Sequence, residues 1–518
     1  MRLANEMFHD LTGAATRESL AALASPSPQK ATEPSELPSA LVGHAGLGEL
    51  PGASPRLPGA TSPSMIPAGV AAFGPSSLYV LAHANPVTPA ISPVASPWTG
   101  PIPMAVPGRA PFDLDQVRRD FPILAERVQG KRLIWLDNAA TTQKPRQVID
   151  RLRHFYEHEN SNIHRAAHTL AARSTDAYEG ARERVRGFLG ASSVDEIVFV
   201  RGATEAINLV AESWGRANLR AGDEIVLSLL EHHANIVPWQ HVAAATGAKL
   251  VVIPVDDRGQ IRLDEYARLL GPKTKLVSFT QVSNALGTVT PVQAMVAMAR
   301  GVGAKVLVDG AQAVSHMPVD VRAIGSDWYV FSGHKVFAPT GIGVLWGTRA
   351  ILDEMPPWQG GGNMIADVSF ERTRYQPPPH KFEAGTGNIA DAVGLGAAID
   401  YLGTIGMANI AAYEHQLLDY GTRLLREVPG LRLIGTAEAK AGVLSFVLDG
   451  IDDREVGKAL DEQGIAVRAG HHCAQPILRR FGLESTLRPS LAFYNTCGEL
   501  EALAGALHRI AARRPGRR

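Results

Sequence analysis

Residues 330–341 read VFSGHKVFAPTG and place Lys335 directly after a run typical of a buried strand. The run leading into it, DWYVF at 327–331, is rich in aromatic and β-branched side chains. His334 precedes the lysine, and the quoted stretch contains no carboxylate that could pair with it. A lysine in a dry pocket loses its proton readily and becomes an amine nucleophile for a Schiff base. We therefore predict that Lys335 is reactive; a surface lysine that forms an ion pair is the ordinary alternative.

Strand-like runs precede this stretch and alternate with helical patterns. The runs are DEIVFV (195–200), DEIVLSLL (223–230), KLVVIPV (249–255), KLVSFTQV (275–282) and KVLVDG (305–310). Near-continuous apolar runs separated by helices predict an α/β fold, with a mostly parallel sheet covered on both faces. After about residue 385 the pattern changes to long helices with a few short strands. We therefore predict a large domain within 111–385 and a smaller α+β domain at 386–518.

Composition excludes several classes of protein. The chain has 518 residues and a formal net charge of zero, without the basic excess of a nucleic-acid-binding protein. No apolar run reaches the length of a membrane span, and the first residues do not resemble a secretory signal. The two cysteines, Cys473 and Cys497, exclude a disulfide framework and indicate a reducing, cytoplasmic location. We predict no metal site.

The first 110 residues differ in composition from the rest of the chain. They hold 17 of the 35 prolines and are dominated by Ser, Ala, Gly and Pro. Such a segment cannot bury enough apolar surface to offset its ordering entropy, so we predict disorder over 1–110. Two apolar islands, at 1–12 and 71–87, interrupt it. We interpret them as docking segments that order on a partner; packing onto the chain's own globular part is the alternative.

Asp309 ends the apolar strand in KVLVDGAQA. Ligands bind at the carboxyl ends of strands in open α/β sheets, and a buried carboxylate needs a cationic partner. The ring nitrogen of pyridoxal phosphate is such a partner, and a lysine Schiff base with an aspartate at that nitrogen is the recurring signature for this cofactor. The alternative is an aspartate that caps the next helix.

Two more stretches carry candidate chemistry. In RGATEAINLV (201–210), Thr204 lies where a strand leads into a helix, so its hydroxyl and the backbone N–H groups could bind a phosphate; an ordinary helix cap is the alternative. In RAGHHCAQP (468–476), Cys473 follows two histidines near Arg468, a setting that favours a nucleophilic thiolate. The flanking glycine and proline favour a loop. A buried, inert cysteine is the alternative.

Residues 111–510 resemble the SUF-type, or group II, cysteine desulfurases, which are fold-type-I pyridoxal-phosphate enzymes. The resemblance rests on motifs along the whole region: LDNAATTQKP (136–145), NIHRAAHTL (162–170), EHHANIVPW (231–239), VSNALGT (282–288), VDGAQAV (308–314), FSGHKVFAPTGIG (331–343), FEAGTGN (382–388), RAGHHCAQP (468–476) and LRPSLAFYNT (487–496). It implies conversion of L-cysteine to L-alanine, with the sulfur held as a persulfide on Cys473. It also implies a homodimer that supplies sulfur for iron–sulfur cluster assembly to a SufE-like or SufU-like acceptor.

The resemblance also implies roles for individual residues. Lys335 would hold the cofactor and move protons at the substrate carbon, while Cys473 would attack the substrate sulfur. The implied cofactor-binding residues are Asp309 at the ring nitrogen, Gln312 at the ring hydroxyl, His232 on the ring face, and Ala203, Thr204, Ser332, His334 and Thr386 around the phosphate, with Thr386 acting from the partner subunit. The implied substrate-binding residues are Asn284 and Arg488 at the carboxylate, Arg468 beside the thiol loop, and His164 with Arg165 reaching across the dimer. Ala203 departs from the family, which often has a threonine there.

The two N-terminal islands resemble the leader of desulfurases that are packaged as cargo in family-2 encapsulins. The similarity is limited to RLANEMF and PSSLYVLA. It implies a partner in an encapsulin shell and a location inside that shell. Two weak anchors on one flexible tether reinforce each other through effective concentration.

Three alternatives to a cysteine desulfurase remain open at this level. A selenocysteine lyase, or another pyridoxal-phosphate lyase of the family, would share the lysine and the aspartate. A catalytically idle scaffold would not need the full set of cofactor residues. An aminotransferase would not need a thiol at Cys473.

Overall fold

A computed structural model of the protein describes residues 111–164 and 167–513. The predictions for 1–110, including the islands at 1–12 and 71–87, and the prediction for Arg165 lie outside the described residues. The strands are β1 (Arg127–Val128), β2 (Lys131–Arg132), β3 (Ile134–Trp135), β4 (Ile197–Val200), β5 (Glu224–Ser228), β6 (Lys249–Ile253), β7 (Thr274–Thr280), β8 (Lys305–Asp309), β9 (Trp328–Ser332), β10 (Gly343–Gly347), β11 (Ile365–Val368), β12 (Thr373–Tyr375), β13 (Leu431–Leu433), β14 (Phe446–Leu448), β15 (Ile465–Ala466), β16 (Arg468–Gly470) and β17 (Thr486–Arg488).

The helices connect and cover these strands. They are α1 (Leu114–Asp120), α2 (Arg146–His158), α3 (Thr169–Leu189), α4 (Ala203–Val210), α5 (Arg216–Asn218), α6 (Val237–Thr246), α7 (Leu263–Leu269), α8 (Val292–Gly301), α9 (Ala313–His316), α10 (Val321–Ile324), α11 (Arg349–Glu354), α12 (Ile389–Ile405), α13 (Met407–Arg426), α14 (Asp453–Asp461), α15 (Gln475–Arg480) and α16 (Cys497–Ala512). Single turns of 3-10 helix include Gly333–Lys335, and a π-helical turn, Ala211–Gly215, joins α4 to α5.

The largest sheet of the described residues has seven strands in the order β4-β10-β9-β8-β7-β5-β6. Strands β6, β5, β7, β8 and β9 pair in parallel, while β10 pairs antiparallel with both β9 and β4. This is the fold-type-I architecture, and the predicted α/β class is confirmed. The sequence analysis did not predict β10, which is a short strand between glycines. Because β10 is antiparallel to both of its neighbours, β4 and β9 run in the same direction. Their carboxyl ends therefore lie at the same edge of the sheet as those of β5, β7 and β8.

Burial explains why the central strands read as continuous apolar runs. All five residues of β9, and all but the first residue of β8, are buried, as expected for a sheet covered on both faces. Several predicted runs are slightly longer than the strands that form. The run at 223–230 stops at Ser228, where the chain turns into the 231–235 segment.

The C-terminal part of the chain builds a second sheet, β13-β14-β17-β16, in which neighbouring strands are antiparallel. Its last helix, α16, begins with a capping box: the Thr496 side chain accepts from the Glu499 N–H, and the Glu499 carboxylate accepts from the Thr496 N–H. The strand β3, from the start of the described chain, pairs in parallel with β15. Residues near 134 therefore pack with residues near 465, far away along the sequence.

Among the described residues, no single helix is long and apolar enough to cross a membrane. The helices α12 and α13 pass such a test only when taken together, and they are bent by 74° at their junction. Most residues of α12 are buried inside the protein.

Candidate active site

A cavity of about 180 Å³ opens at the carboxyl edge of the central sheet. Twelve of the sequence-predicted residues line it: Ala203, Thr204, His232, Asn284, Asp309, Gln312, Ser332, His334, Lys335, Arg468, Cys473 and Arg488. The sequence analysis did not predict the other lining residues, which are Ala139, Ala140, Ala234, Thr280, Val282, Ala311 and His472. Lysine, aspartate and thiol, from three separate parts of the chain, therefore share one cavity.

Lys335 reaches the cavity from the 3-10 turn that follows β9. The turn depends on Gly333, because a Cβ there would lie 2.8 Å from the Ile342 side chain and 3.1 Å from the Ile342 carbonyl oxygen. Burial lowers the pKa of Lys335 to about 8, although the negative charge of Asp309 opposes the shift. The amine is thus easier to deprotonate than that of an ordinary lysine.

Asp309 is the last residue of β8 and is 4% exposed. Its Oδ1 accepts a hydrogen bond of 2.9 Å from the Ala311 N–H. Burial raises the pKa of this carboxyl group, and the Ala311 N–H and the charge of Lys335 partly offset the rise. Although this hydrogen bond is local, the helix α9 begins only at Ala313, so helix capping does not account for the aspartate. A buried carboxylate that lines a cavity is suited to pair with a cation placed there.

Residues at the junction between β4 and α4 also line the cavity. The Ala203 N–H donates to Ser332 Oγ at 2.9 Å, which ties the start of α4 to the end of β9. The chain approaches β10 closely here, since a Cβ on Gly343 would lie 2.4 Å from Gly202 Cα. Ala203 and Thr204, at the start of α4, therefore line the cavity together with Ser332 and His334.

Two histidines in the cavity are held in the neutral form. Burial, with the charge of Lys335 as the next cause, lowers the pKa of His232 to about 3. His232 Nδ1 accepts from the Ala234 N–H at 3.0 Å, so Nε2 carries the proton in the neutral ring. Burial and nearby lysines lower the pKa of His334 to about 4. The carbonyl of His334 accepts hydrogen bonds from the 141–144 segment, including bonds of 3.0 Å from the Thr142 N–H and from the Thr141 hydroxyl.

Cys473 lies in a tight loop after β16, as predicted from the flanking glycine and proline. His472 and Cys473 both have positive φ, at 54° and 53°. The loop is held from several sides: the His233 N–H donates to the Cys473 carbonyl at 2.8 Å, and Asn284 Nδ2 donates to the His472 carbonyl at 2.7 Å. The thiol is partly exposed. The histidine-rich run at 231–235 therefore supports the thiol loop directly.

Arg488 is 2% exposed and lines the cavity from β17. Its Nη1 donates to the Asn284 carbonyl at 2.9 Å, and its Nη2 donates to Asp137 Oδ1 at 3.2 Å. The Nε atom is buried without a hydrogen-bond partner among the described residues. A buried donor without a partner carries a free-energy cost that an anionic ligand would remove. Arg488 is therefore suited to bind a carboxylate.

Asp137 was missed by the sequence analysis, although its motif was noted. It contacts Arg488 and also lies 3.7 Å from Nη1 of the half-exposed Arg468. Burial raises the pKa of Asp137, and the two guanidinium groups oppose that rise. No sequence pattern links these three residues; only their distances do.

Two of the predicted site residues do not line this cavity, and Arg165 lies outside the described residues. His164 Nε2 is 3.0 Å from Glu179 Oε1, and its Nδ1 is 3.4 Å from Asn363 Oδ1. Thr386 is exposed. The role of all three across a dimer stays a prediction. Among the described residues, no group of three or more His, Cys, Asp or Glu side chains is placed to hold a metal ion.

A family model described as aminotransferase class-V matches residues 134–503, a range that contains all the lining residues. The chain belongs to the class-V aminotransferase family. It is 50% identical over 406 residues to a probable cysteine desulfurase of Streptomyces coelicolor, covering 77% of this chain and 97% of that one. It is 70% identical over 403 residues to a cysteine desulfurase of Synechococcus elongatus, covering 78% of this chain but only 64% of the relative's length.

A solved structure agrees with the fold. The crystal structure of the cysteine desulfurase CsdA (S-sulfonic acid) from Escherichia coli superimposes with a TM-score of 0.72 at 39% sequence identity. The match covers 77% of this chain and 98% of that one.

Class-V aminotransferases use pyridoxal 5'-phosphate, and the residues of this cavity fit that cofactor. The buried Asp309 carboxylate suits the cationic ring nitrogen. The start of α4 with Ser332 suits the phosphate, and Lys335 has the lowered pKa that a covalent link to an aldehyde needs. Gln312 lines the cavity, with its side-chain Nε2 donating to the Ala139 carbonyl at 2.7 Å.

Proposed function

We propose that the protein is a cysteine desulfurase that converts L-cysteine to L-alanine and takes up the sulfur on Cys473. The observation that carries this proposal is that the thiol of Cys473 and the amine of Lys335 line one cavity together with the buried Asp309. Transamination does not need a thiol, whereas sulfur transfer needs a second nucleophile. The names of the relatives, which are cysteine desulfurases, support the same activity.

The reaction divides between the two nucleophiles. When bound, pyridoxal phosphate withdraws electrons from the substrate α-carbon and so allows its proton to leave. Lys335 accepts that proton and later returns a proton to the substrate α-carbon. The Cys473 thiolate attacks the substrate sulfur; a new S–S bond forms, the substrate C–S bond breaks, and the carbon that loses sulfur gains a proton. The products are L-alanine and a persulfide on Cys473, with no external oxidant or reductant.

The remaining side chains orient the substrate. Arg488, with its unpartnered Nε, receives the α-carboxylate as a charge-assisted hydrogen-bond donor. Asn284 fixes the thiol loop through the His472 carbonyl and lies beside the same carboxylate. The neutral His232, which lines the cavity, would pack against the cofactor ring. Arg468 adds positive charge next to the thiol.

Separate substitutions of the two nucleophiles test the proposal. The Cys473→Ser protein is expected to retain the absorbance band of bound cofactor but to lose L-cysteine-dependent release of sulfide in the presence of a reductant. The Lys335→Ala protein is expected to lose the covalent link to the cofactor and with it the formation of alanine. Sustained multiple-turnover desulfuration by Cys473→Ser would contradict the role given to the thiol. Comparing alanine release from L-selenocysteine and from L-cysteine distinguishes a selenocysteine lyase.

Within the family, we assign the chain to the SUF-type branch. The segment EHHANIVPW at 231–239 and the short loop around Cys473 support this assignment. A homodimer is part of the proposal, since His164, Arg165 and Thr386 are expected to act in the neighbouring subunit's site. The persulfide sulfur would pass to a small SufE-like or SufU-like acceptor. The residue ranges 111–385 and 386–518 are our proposed domains for the enzyme, with the first also contributing a segment to the smaller domain.

We further propose that residues 1–110 load the enzyme into an encapsulin-type shell inside the cytoplasm. The support is the composition of this segment and its two apolar islands, at 1–12 and 71–87. Co-expression of a candidate shell protein with the full chain, or with a chain that lacks residues 1–110, tests the idea. Only the full chain is expected to co-purify with assembled shells, and both proteins are expected to have the same desulfurase activity. Equal encapsulation of the two would refute the proposal.

A further inference from the structure

One residue outside the cavity contacts both ends of the turn that carries Lys335. Thr142 does not line the cavity and is 3% exposed. Its N–H donates to the His334 carbonyl at 3.0 Å, and its hydroxyl donates to the same oxygen at 3.2 Å. The hydroxyl oxygen also accepts from the Phe337 N–H at 2.8 Å. Because a hydroxyl can donate one hydrogen bond while it accepts another, Thr142 bridges the two ends of the turn.

The Phe337 end of the turn depends on this hydroxyl. Phe337 is fully buried and has a φ of 64°, a left-handed conformation that a bulky residue seldom adopts. Its ring packs on that of Phe493, with the ring centroids 4.6 Å apart. Among the described residues, the Thr142 hydroxyl is the one acceptor for the Phe337 N–H. A buried N–H without a partner carries a free-energy cost, so the hydroxyl stabilises this strained conformation.

The His334 end of the turn has further donors. The Thr141 hydroxyl donates to the His334 carbonyl at 3.0 Å, and Lys144 Nζ donates to it at 3.2 Å. These contacts remain when the Thr142 hydroxyl is removed. Loss of that hydroxyl is therefore expected to shift the backbone at 335–337 without releasing the turn from the 141–144 segment.

We infer that Thr142 is a positioning residue that sets the direction in which the Lys335 side chain leaves its turn, by holding the His334 carbonyl and the strained Phe337 peptide on either side of it. Lys335 lies between these two groups, so a shift at either one moves its Cα. The inference deepens the proposed function and takes from it only that Lys335 is the amine that bonds the cofactor aldehyde. Thr142 has no charge and acts through the geometry of the turn.

Thr142→Val and Thr142→Ser form a matched pair, since valine has nearly the shape of threonine without the hydroxyl, and serine keeps the hydroxyl. Stopped-flow absorbance measures how fast the full-length, cofactor-free protein recombines with pyridoxal phosphate at a series of pH values. In Thr142→Val the plateau rate at high pH is expected to fall about tenfold, because a displacement of about 1 Å can cost about a hundredfold and a smaller one is expected. The midpoint of the profile, which reports the pKa of Lys335, is expected to stay at about 8, because no charge is removed. Thr142→Ser is expected to recombine at the wild-type rate.

A control removes a buried hydroxyl elsewhere in the protein. Thr288 is 2% exposed, does not line the cavity, and donates from its hydroxyl to the Gly259 carbonyl at 3.0 Å. Thr288→Val is expected to reduce resistance to urea about as much as Thr142→Val does, and to leave the plateau rate unchanged. A wild-type plateau in Thr142→Val, or an equal fall in Thr288→Val, overturns the inference, because the hydroxyl would then only stabilise the fold. A shifted midpoint with an unchanged plateau overturns it as well.

The test does not depend on one variant or on sulfur transfer. Should Thr142→Val fail to fold, Thr142→Ala takes its place with the same expected fall in the plateau rate. Recombination with the cofactor precedes any reaction of L-cysteine. A wild-type protein that recombines but forms no alanine from L-cysteine would therefore refute the proposed function, while the plateau rates would still decide the role of Thr142.

Discussion

At Lys335, two opposing influences act on one amine. Burial disfavours the ammonium form, while the negative charge of Asp309 favours it. Burial is the larger effect, and the pKa falls to about 8. Within the same cavity, His232 is kept neutral because burial and the charge of Lys335 both lower its pKa. Burial and neighbouring charges thus set the protonation of Lys335 and of His232, as is common in active sites.

This shift predicts the pH dependence of cofactor binding. Only the neutral amine attacks an aldehyde, so the rate at which cofactor-free protein recombines with pyridoxal phosphate is expected to increase with pH, with a midpoint at about 8. Stopped-flow absorbance measures this rate. Lys335→Ala is the control and is expected to lack the phase. A midpoint near the ordinary lysine value of about 10.4 would show that the site does not lower the pKa.

At the scale of elements, a buried hydrogen-bond network fixes the turn between β5 and α6. Glu231 is fully buried and accepts from Asn235 Nδ2 at 2.6 Å and from the Thr280 N–H at 3.0 Å, with Ser228 as a third donor. Asn235 Oδ1 in turn accepts from the indole N–H of Trp239 at 2.9 Å. Because an indole can only donate, it sets the orientation of the Asn235 amide, so Glu231 must accept. This network positions the adjacent His232.

Glu231→Gln is expected to lower the free energy of unfolding by about 2 kcal/mol, because one NH₂ group would face another donor in a buried site. The loss is measured by urea unfolding of the cofactor-free protein. Glu224→Gln, at the half-buried start of the same strand, is the matched control and is expected to change stability by less than about 0.5 kcal/mol. Equal effects of the two substitutions would mean that the network contributes little.

At the scale of the whole molecule, the cavity depends on contacts between the two ends of the described enzyme. The fully buried Asn495 accepts from Asn138 Nδ2 at 3.1 Å and from the Ala492 N–H at 2.8 Å, and it donates to the Trp135 carbonyl at 2.9 Å. Ala139 and Ala140, which follow Asn138, line the cavity. The side chain of Asn495 thus holds the N-terminal segment in place beside the site.

Asn495→Ala is expected to cost about 3 kcal/mol in the free energy of unfolding, because it leaves several buried polar groups without partners. It is also expected to raise the KM for L-cysteine, since the 137–140 segment moves. Asn409→Ala is the control: Asn409 is exposed and donates one hydrogen bond, to the Ile405 carbonyl, so a loss below about 1 kcal/mol is expected. Chemical unfolding and steady-state kinetics of both variants check the difference.

Some of this architecture could be read directly from the sequence. The strands β4, β5, β7, β8 and β9 appear as apolar runs because nearly all of their residues are buried, and Asp309 and Lys335 were singled out because strand ends and buried charges follow general rules. Cys473 was placed in a loop by the glycine and proline around it, and the loop is there. The antiparallel β10 was not found, because a short run between glycines is decided by its pairing with β4 and β9.

The roles of Asp137, Glu231 and Asn495 could not be read from the sequence in the same way. Each acts through atoms contributed by segments tens to hundreds of residues away, and nothing in the local pattern around it specifies those partners. Local residue order was enough to set the fold class and to suggest the candidate nucleophiles, since periodicity and burial of apolar side chains are properties of short stretches. The common cavity, the charge balance around Arg488 and the protonation states of its histidines arise only when distant segments meet, because electrostatic energies depend on distance and burial in the folded chain.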